Sequence, residues 1–168
     1  MLKLTMTLLL LMTIFTGGYS QGEIYLKIDG IDGTVTKRGF ERCIKLSGLE
    51  QRMSNPSSRA ITGKPPLSNI RVKKMVDKTS PVFMMYGVSG RHVRQARIIY
   101  TGFNGADDYT IILTDVYIDS IAVLSECKAD CITSEELSIS FDKMQCEYRN
   151  ANGSIIRSYV ALNETINK

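Results

Sequence analysis

The chain has 168 residues and a mass of 18.8 kDa, enough for one domain with a full-sized core. Hydrophobic residues make up 43% and charged residues 23%, proportions of a globular protein that exclude a disordered chain. A formal charge of +4 is too slight to point to nucleic acid, and a sole histidine excludes multi-histidine metal sites.

The first twenty residues differ in kind from the rest. Lys3 precedes the apolar run Leu8 to Phe15, and Gly17-Gly18-Tyr19-Ser20 places small residues before a cut at Gln21. This is the three-part pattern of a secretory signal peptide over residues 1–20. The apolar run is shorter than the ~20 residues that span a bilayer, so no stable membrane insertion is expected after cleavage. Residues 21–168 then form a single domain, and loss of Lys3 lowers the charge from +4 to +3.

From Glu23 the dominant period is two. Ile24, Leu26 and Ile28 share one face of a half-buried strand, and Gly30 and Gly33 punctuate the turn behind it. Ile44 and Leu46 resume the alternation before Ser47-Gly48 interrupts it. Residues 53–66, rich in Ser, Pro and Gly, read as a long extended loop that either serves binding or moves freely. Ile70, Val72 and Val76 mark the next strand, with Lys74 breaking its apolar face. Thr79-Ser80-Pro81 then supplies a hydroxyl cap, Ser80, and a proline, Pro81, at the first helical position. A helix of about two turns follows, ended by Gly87 or Gly90.

Gln95 to Thr101 is a strand closed by Asn104-Gly105. Tyr109 to Leu124 is a long β-rich run whose apolar phase slips near Asp115 and again near Ser120, as one bent strand or two consecutive ones. Leu137, Ile139 and Phe141 alternate, while Met144, Cys146 and Tyr148 fall on the other parity, so a β-bulge near Asp142-Lys143 is expected. Asn152-Gly153 turns the chain into a last strand from Ile155 to Leu162. Seven to eight strands with one short helix and one long loop predict a mainly β protein, an antiparallel barrel or sandwich.

Four cysteines permit three pairings. Cys127 and Cys131 lie close together in a polar stretch, and a bridge between them leaves Cys43 to pair with Cys146. A zinc site is the poorer reading, since CxxxC with two scattered thiols and no nearby His is not metal spacing. Four reduced thiols remain the reading if the chain stays in a reducing compartment.

Catalytic chemistry finds no foothold. His92 has no G-x-S-x-G elbow to serve, and Gly87-Val88-Ser89-Gly90 has the wrong spacing. His92 reads as a structural residue bonded to nearby backbone, while Arg91, Arg94 and Arg97 form either a solvated strand edge or an ion-pairing contact. Asp29, Asp32, Asp107 and Asp108 lack calcium-loop spacing, and nothing requires a cofactor.

Several motifs together carry a resemblance. Ile24 to Gly33 forms an opening strand and turn, and Val76-Asp77-Lys78-Thr79-Ser80-Pro81 is followed by Met84-Met85 and Ser89-Gly90-Arg91-His92. With Tyr109 to Val116 and Glu136 to Phe141, these resemble the haemolysin-coregulated protein (Hcp) family, the inner-tube proteins of type VI secretion systems, over roughly residues 23–162. The resemblance implies a non-enzymatic subunit whose homohexameric rings stack into a tube, with effector cargo in the lumen and sheath and spike components as partners. It implies that Ser47 and Leu49 approach the lumen, Leu49 standing near where family members place a polar lumen residue. It also implies that Ile61 and Lys64 reach a neighbouring subunit, and that Arg91, His92 and Arg94 lie at a subunit contact. The leader and the four cysteines depart from the family pattern. Two expectations follow: a tube subunit assembled in the cytoplasm before secretion, its leader uncleaved, tolerated or misassigned, or an orphan relative exported by the general pathway as a secreted or periplasmic binding or assembly module.

Overall fold

The computed structural model describes residues 22–52, 69–103, 107–127 and 131–161. The expected leader, most of the long loop including Ile61 and Lys64, and the Asn104-Gly105 turn lie outside the described residues. Along the described chain run β1 (Glu23–Ile28), β2 (Ile44–Leu46), β3 (Gly48–Glu50), β4 (Ile70–Met75), α1 (Ser80–Ser89), β5 (Val93–Phe103), β6 (Asp107–Cys127), β7 (Cys131–Arg149) and β8 (Ile155–Ala161). The protein is mainly β, with one antiparallel sheet ordered β2-β1-β5-β6-β7-β4-β3, and β8 added to β7.

The two ends of that order, β2 and β3, are consecutive pieces of chain joined at Ser47. The Ser47 amide donates to the Lys73 carbonyl at 2.8 Å, so the chain leaves β1 and joins β4 within one residue. The sheet thereby curls around its core without becoming a continuously hydrogen-bonded barrel.

Alternation builds the core as the sequence leads one to expect. Leu26 and Ile28 of β1, Ile44 and Leu46 of β2, Ile70 and Val72 of β4, Ala96 and Ile98 of β5, and Leu137 and Ile139 of β7 are all buried. Tyr25, on the opposite parity of β1, is buried too, because Phe40 stacks on it with ring centroids 4.6 Å apart. That stacking is supplied by the loop between β1 and β2. Gly33 sits in the same loop because a Cβ there would fall on the Cys43 carbonyl.

The expected phase slips are real, and each has its own device. Asp115 takes a left-handed backbone (φ +53°), which lets Leu113 and Val116 both face the core. Opposite it on β7, Phe141 and Met144 are both buried, so the paired strands change parity together. The one register shift between β6 and β7 lies between Ile118 and Ser120, where β6 carries the extra residue Asp119. The bulge expected near Asp142-Lys143 of β7 is not there, since register is kept across Asp142; it is on β6 at Asp119, where Asn69 and Ser140 donate to the carboxylate at 2.7 and 2.8 Å. β6 is thus one bent strand of 21 residues.

Helix α1 begins with Thr79 at its cap position and Pro81 in its first turn, and ends at Gly90 in the left-handed region (φ +62°). Phe83 and Tyr86 bury one side of it, and a Cβ added at Gly87 would come within 3.8 Å of both Ile118 and Ile121. Close packing on β6 sets where the helix's outer side faces.

Candidate assembly surface

Three features rise above ordinary packing: a buried ionic cluster, a projecting hairpin and an uncharged helix face. The cluster starts from Lys74, which does not break the apolar face of β4 as its charge suggests. Its side chain is 0% exposed and points inward between Val72 and the start of α1. Register places Glu135 of β7 directly opposite, and Lys74 Nζ donates to Glu135 Oε1 at 2.6 Å. The ammonium also donates to the Met75 carbonyl at 2.9 Å and to Ser80 Oγ at 3.3 Å, pairs with Asp77 at 2.9 Å, and lies 5.9 Å from the Phe83 ring centre. Ser80 Oγ in turn donates to Glu135 Oε1 at 3.0 Å.

This arrangement revises the expected cap. Ser80 is the first helical residue, and its hydroxyl accepts from the Asp77 amide at 3.0 Å while holding Glu135. Thr79 occupies the cap position without a side-chain bond to the helix, its hydroxyl donating to Asp77 instead. Burial raises the Asp77 pKa, but hydrogen bonds from Thr79 and Lys74 outweigh it and hold the carboxylate below its usual range. The sequence motif around Asp77 to Pro81 therefore anchors the helix to two strands. The alternation expects Val76 on the buried face of β4, yet it is exposed: β4 ends at Met75, and Val76, its amide still donating to the Thr133 carbonyl at 3.2 Å, lies past the edge of the core.

The second feature is the outer part of the β6–β7 hairpin. β5 leaves β6 at Val116, so the hairpin runs on beside β4 alone, and beyond the Leu124–Ser134 pair, where β4 ends, it continues as a two-stranded tip of an arm. At its tip Cys127 and Cys131 face each other across the ladder and form a disulfide. On its outer face Leu124, Ser134 and Met75 make one row across three strands, with Glu126 and Ile132 in the next. Lys73 and Glu136 border these rows and pair at 3.4 Å. Lys73, Leu124, Glu126, Ile132, Ser134 and Glu136 line a groove of about 350 Å³, with Met75 exposed beside it.

The third feature is the outer side of α1. Met84, Met85 and Val88 face solvent, Val88 at 92% exposure, on a helix that contains no charged residue. Arg91 follows, its guanidinium 5.2 Å from the Tyr86 ring centre. His92 stands with its ring against Tyr117, centroids 5.6 Å apart, in place of the expected backbone bond. Arg94 meets Asp29 at 3.4 Å. Arg97 donates to Gln95 at 3.1 Å.

The remaining expected sites separate. Cys43 and Cys146 are both free thiols, correcting the expected pair: three strands of the sheet order stand between β2, which Cys43 precedes, and β7, which carries Cys146. Burial raises the Cys43 pKa, leaving a protonated, unreactive thiol. Tyr109 is likewise raised, by burial first and by its bond to Cys146 second. Ser47 is exposed, whereas Leu49 packs half-buried against the core. Glu23 is an electrostatic hub that sequence reading missed. Lys37 first, then Tyr25 (2.6 Å) and Lys45 (2.9 Å), donate to its carboxylate and lower its pKa to about 2. Among the described residues no cluster of His, Cys, Asp or Glu could hold a metal ion, and no helix is long and apolar enough to cross a membrane.

The family model described as "Type VI secretion system effector, Hcp" matches residues 25–148, from β1 to the end of β7. The chain belongs to the Hcp family. This is a family of secretion-tube proteins rather than of enzymes. Solved structures agree on the fold. Hcp1 from Salmonella typhimurium is 24% identical, with a TM-score of 0.72 over 84% of this chain and 95% of that one. A type VI secretion system effector from Yersinia pestis is 21% identical, with a TM-score of 0.71 over 82% and 98%. The secreted protein Hcp3 from Pseudomonas aeruginosa is 18% identical, with a TM-score of 0.62 over 82% and 97%. No curated protein matches the sequence.

Proposed function

We propose that this chain is a ring-forming structural subunit, six copies closing a ring and rings stacking into a tube able to carry effectors in its lumen. The observation that carries this reading is the family match spanning β1 to β7, seven of the eight strands of the curled sheet. The exposed Ser47, at the switch between β2 and β3, is the residue we assign to the lumen wall. Sheath and spike components are the partners outside the tube, and no step of bond chemistry is asked of the subunit. Purified protein imaged by electron microscopy and sized by sedimentation tests this. Six-membered rings are expected, and a strictly monomeric species at high concentration overturns it.

One observation favours a second reading. The Cys127–Cys131 disulfide suits an oxidising compartment, and it agrees with the leader pattern of residues 1–20. In that reading the protein is exported by the general pathway and assembles outside a type VI machine. The intact mass of the native protein separates the two. A chain lacking residues 1–20 with an oxidised Cys127–Cys131 pair supports export, and a full-length, fully reduced chain rules it out.

A further inference from the structure

Two exposed apolar patches lie on opposite faces of the same stretch of sheet. On one face α1 covers Ile118 and Ile121 of β6 and turns Met84, Met85 and Val88 outward. On the other, Met75, Leu124 and Ile132 are each about half exposed (50%, 49% and 57%) on the outer surface of β4 and the arm. Apolar centres of this kind, with charged residues at their edges, have the anatomy of protein interfaces.

Their charges are opposite. From residue 78 to 94 the chain has Lys78, Arg91 and Arg94 and no acidic residue. From 119 to 136 it has Asp119, Glu126, Asp130, Glu135 and Glu136 against Lys128 alone. Glu135 is spoken for by Lys74 inside the core, Glu136 by Lys73 on the arm's outer face, and Arg94 by Asp29. Exposed Glu126 beside Leu124 and Ile132 still faces outward, as do Lys78 and Arg91 at either end of α1.

We infer that the outer face of the β6–β7 arm of one copy binds the outer face of α1 of the next copy. The inference rests on the ring-forming reading and names the contact that would join its subunits. Two-fold pairing would set arm on arm or helix on helix, bringing like charges together. Arm on helix joins opposite charges around two apolar centres. Because the contact joins two different patches, it is heterologous and repeats from copy to copy. The disulfide at the arm's tip holds the two strands in register, so the patch is already formed before contact.

Charge-swapped variants of the full chain, followed by sedimentation velocity, test this. One variant carries Leu124→Lys and Glu126→Lys; the other carries Val88→Glu and Arg91→Glu. All four side chains are exposed, and circular dichroism checks that both variants fold. Each variant alone should self-associate at least about tenfold more weakly than the unmodified chain. An equimolar mixture should recover assembly, since each variant then offers the other a complementary face. Folded variants that assemble normally alone, or a mixture that fails to recover, overturn the arm-to-helix contact. An unmodified chain that remains monomeric overturns the ring-forming reading itself, which separates the two failures.

Discussion

The curled body and the projecting arm are made of the same strands but held by different forces. In the body, β6 is flanked by β5 and β7 and presents Ile111, Leu113 and Val116 to a common core. In the arm, beyond the Asp119 bulge, residues 122–127 of β6 are exposed whichever side of the strand they take. There register is kept by the cross-strand disulfide and by the bond between Ser125 and Thr133 hydroxyls at 3.1 Å. A two-stranded ribbon without a covered face is marginal on its own. The contrast teaches that the body uses its apolar residues for folding, while the arm leaves its own exposed. The Lys74–Glu135 pair sits at the joint between the two.

Breaking the joint should have the largest effect. Lys74→Met leaves Glu135 buried without its cation, and loss of about 3–5 kcal/mol is expected in urea unfolding. Combining it with Glu135→Leu should recover most of that loss, because the pair's desolvation cost disappears with it. A double variant no more stable than the single would show that the pair is not the source of the effect.

Within the body, Gly33→Ala should cost about 1–3 kcal/mol, since the new Cβ meets the Cys43 backbone rather than a side chain able to move. An unchanged melting temperature would argue against that close approach.

The arm should respond differently. Serine at both Cys127 and Cys131 opens a short loop, for which chain entropy suggests about 2 kcal/mol. Because the arm lies outside the core, the loss should appear mainly as faster amide exchange in residues 120–134, with little change in the body's unfolding. Uniformly faster exchange across β1 and β5 would contradict the division.

The smallest effect is the one on pH. Glu23 has a depressed pKa in the folded state, so its contribution is fully present above its unfolded value of about 4.5. That contribution is lost as pH falls from there through about 2. Glu23→Gln should flatten the acid limb of the stability profile in that window, with a weak effect because the carboxylate is solvated. An acid limb identical to that of the unmodified chain would remove Glu23 from the account.

Much of the fold was legible in the chain because period-two alternation is a local property. The strand around Leu26, the helix stopped by Gly90, the turn at Asn152-Gly153 and the phase slips in β6 all follow from neighbouring residues. The candidate assembly surface was legible only in part. Met84-Met85 and Arg91 could be noticed on sequence, but the row of Met75, Ser134 and Leu124 exists only through register. Lys74 looked like a break in a strand face because its counter-ion lies 61 residues away on β7. Cys43 and Cys146 could be counted into a pair, yet nothing local sets the distance between their strands.

What the sequence determined alone is therefore the kind of protein: strands by alternation, one helix by its proline and glycine, and Hcp membership by motifs read in order. What the tertiary structure decided is which residues face one another. It buried Lys74, exposed Val76, kept two thiols apart and divided one hairpin into a packed body and a bare arm. Alternation fixes which side of a strand a residue takes, and only long-range register decides what waits on that side.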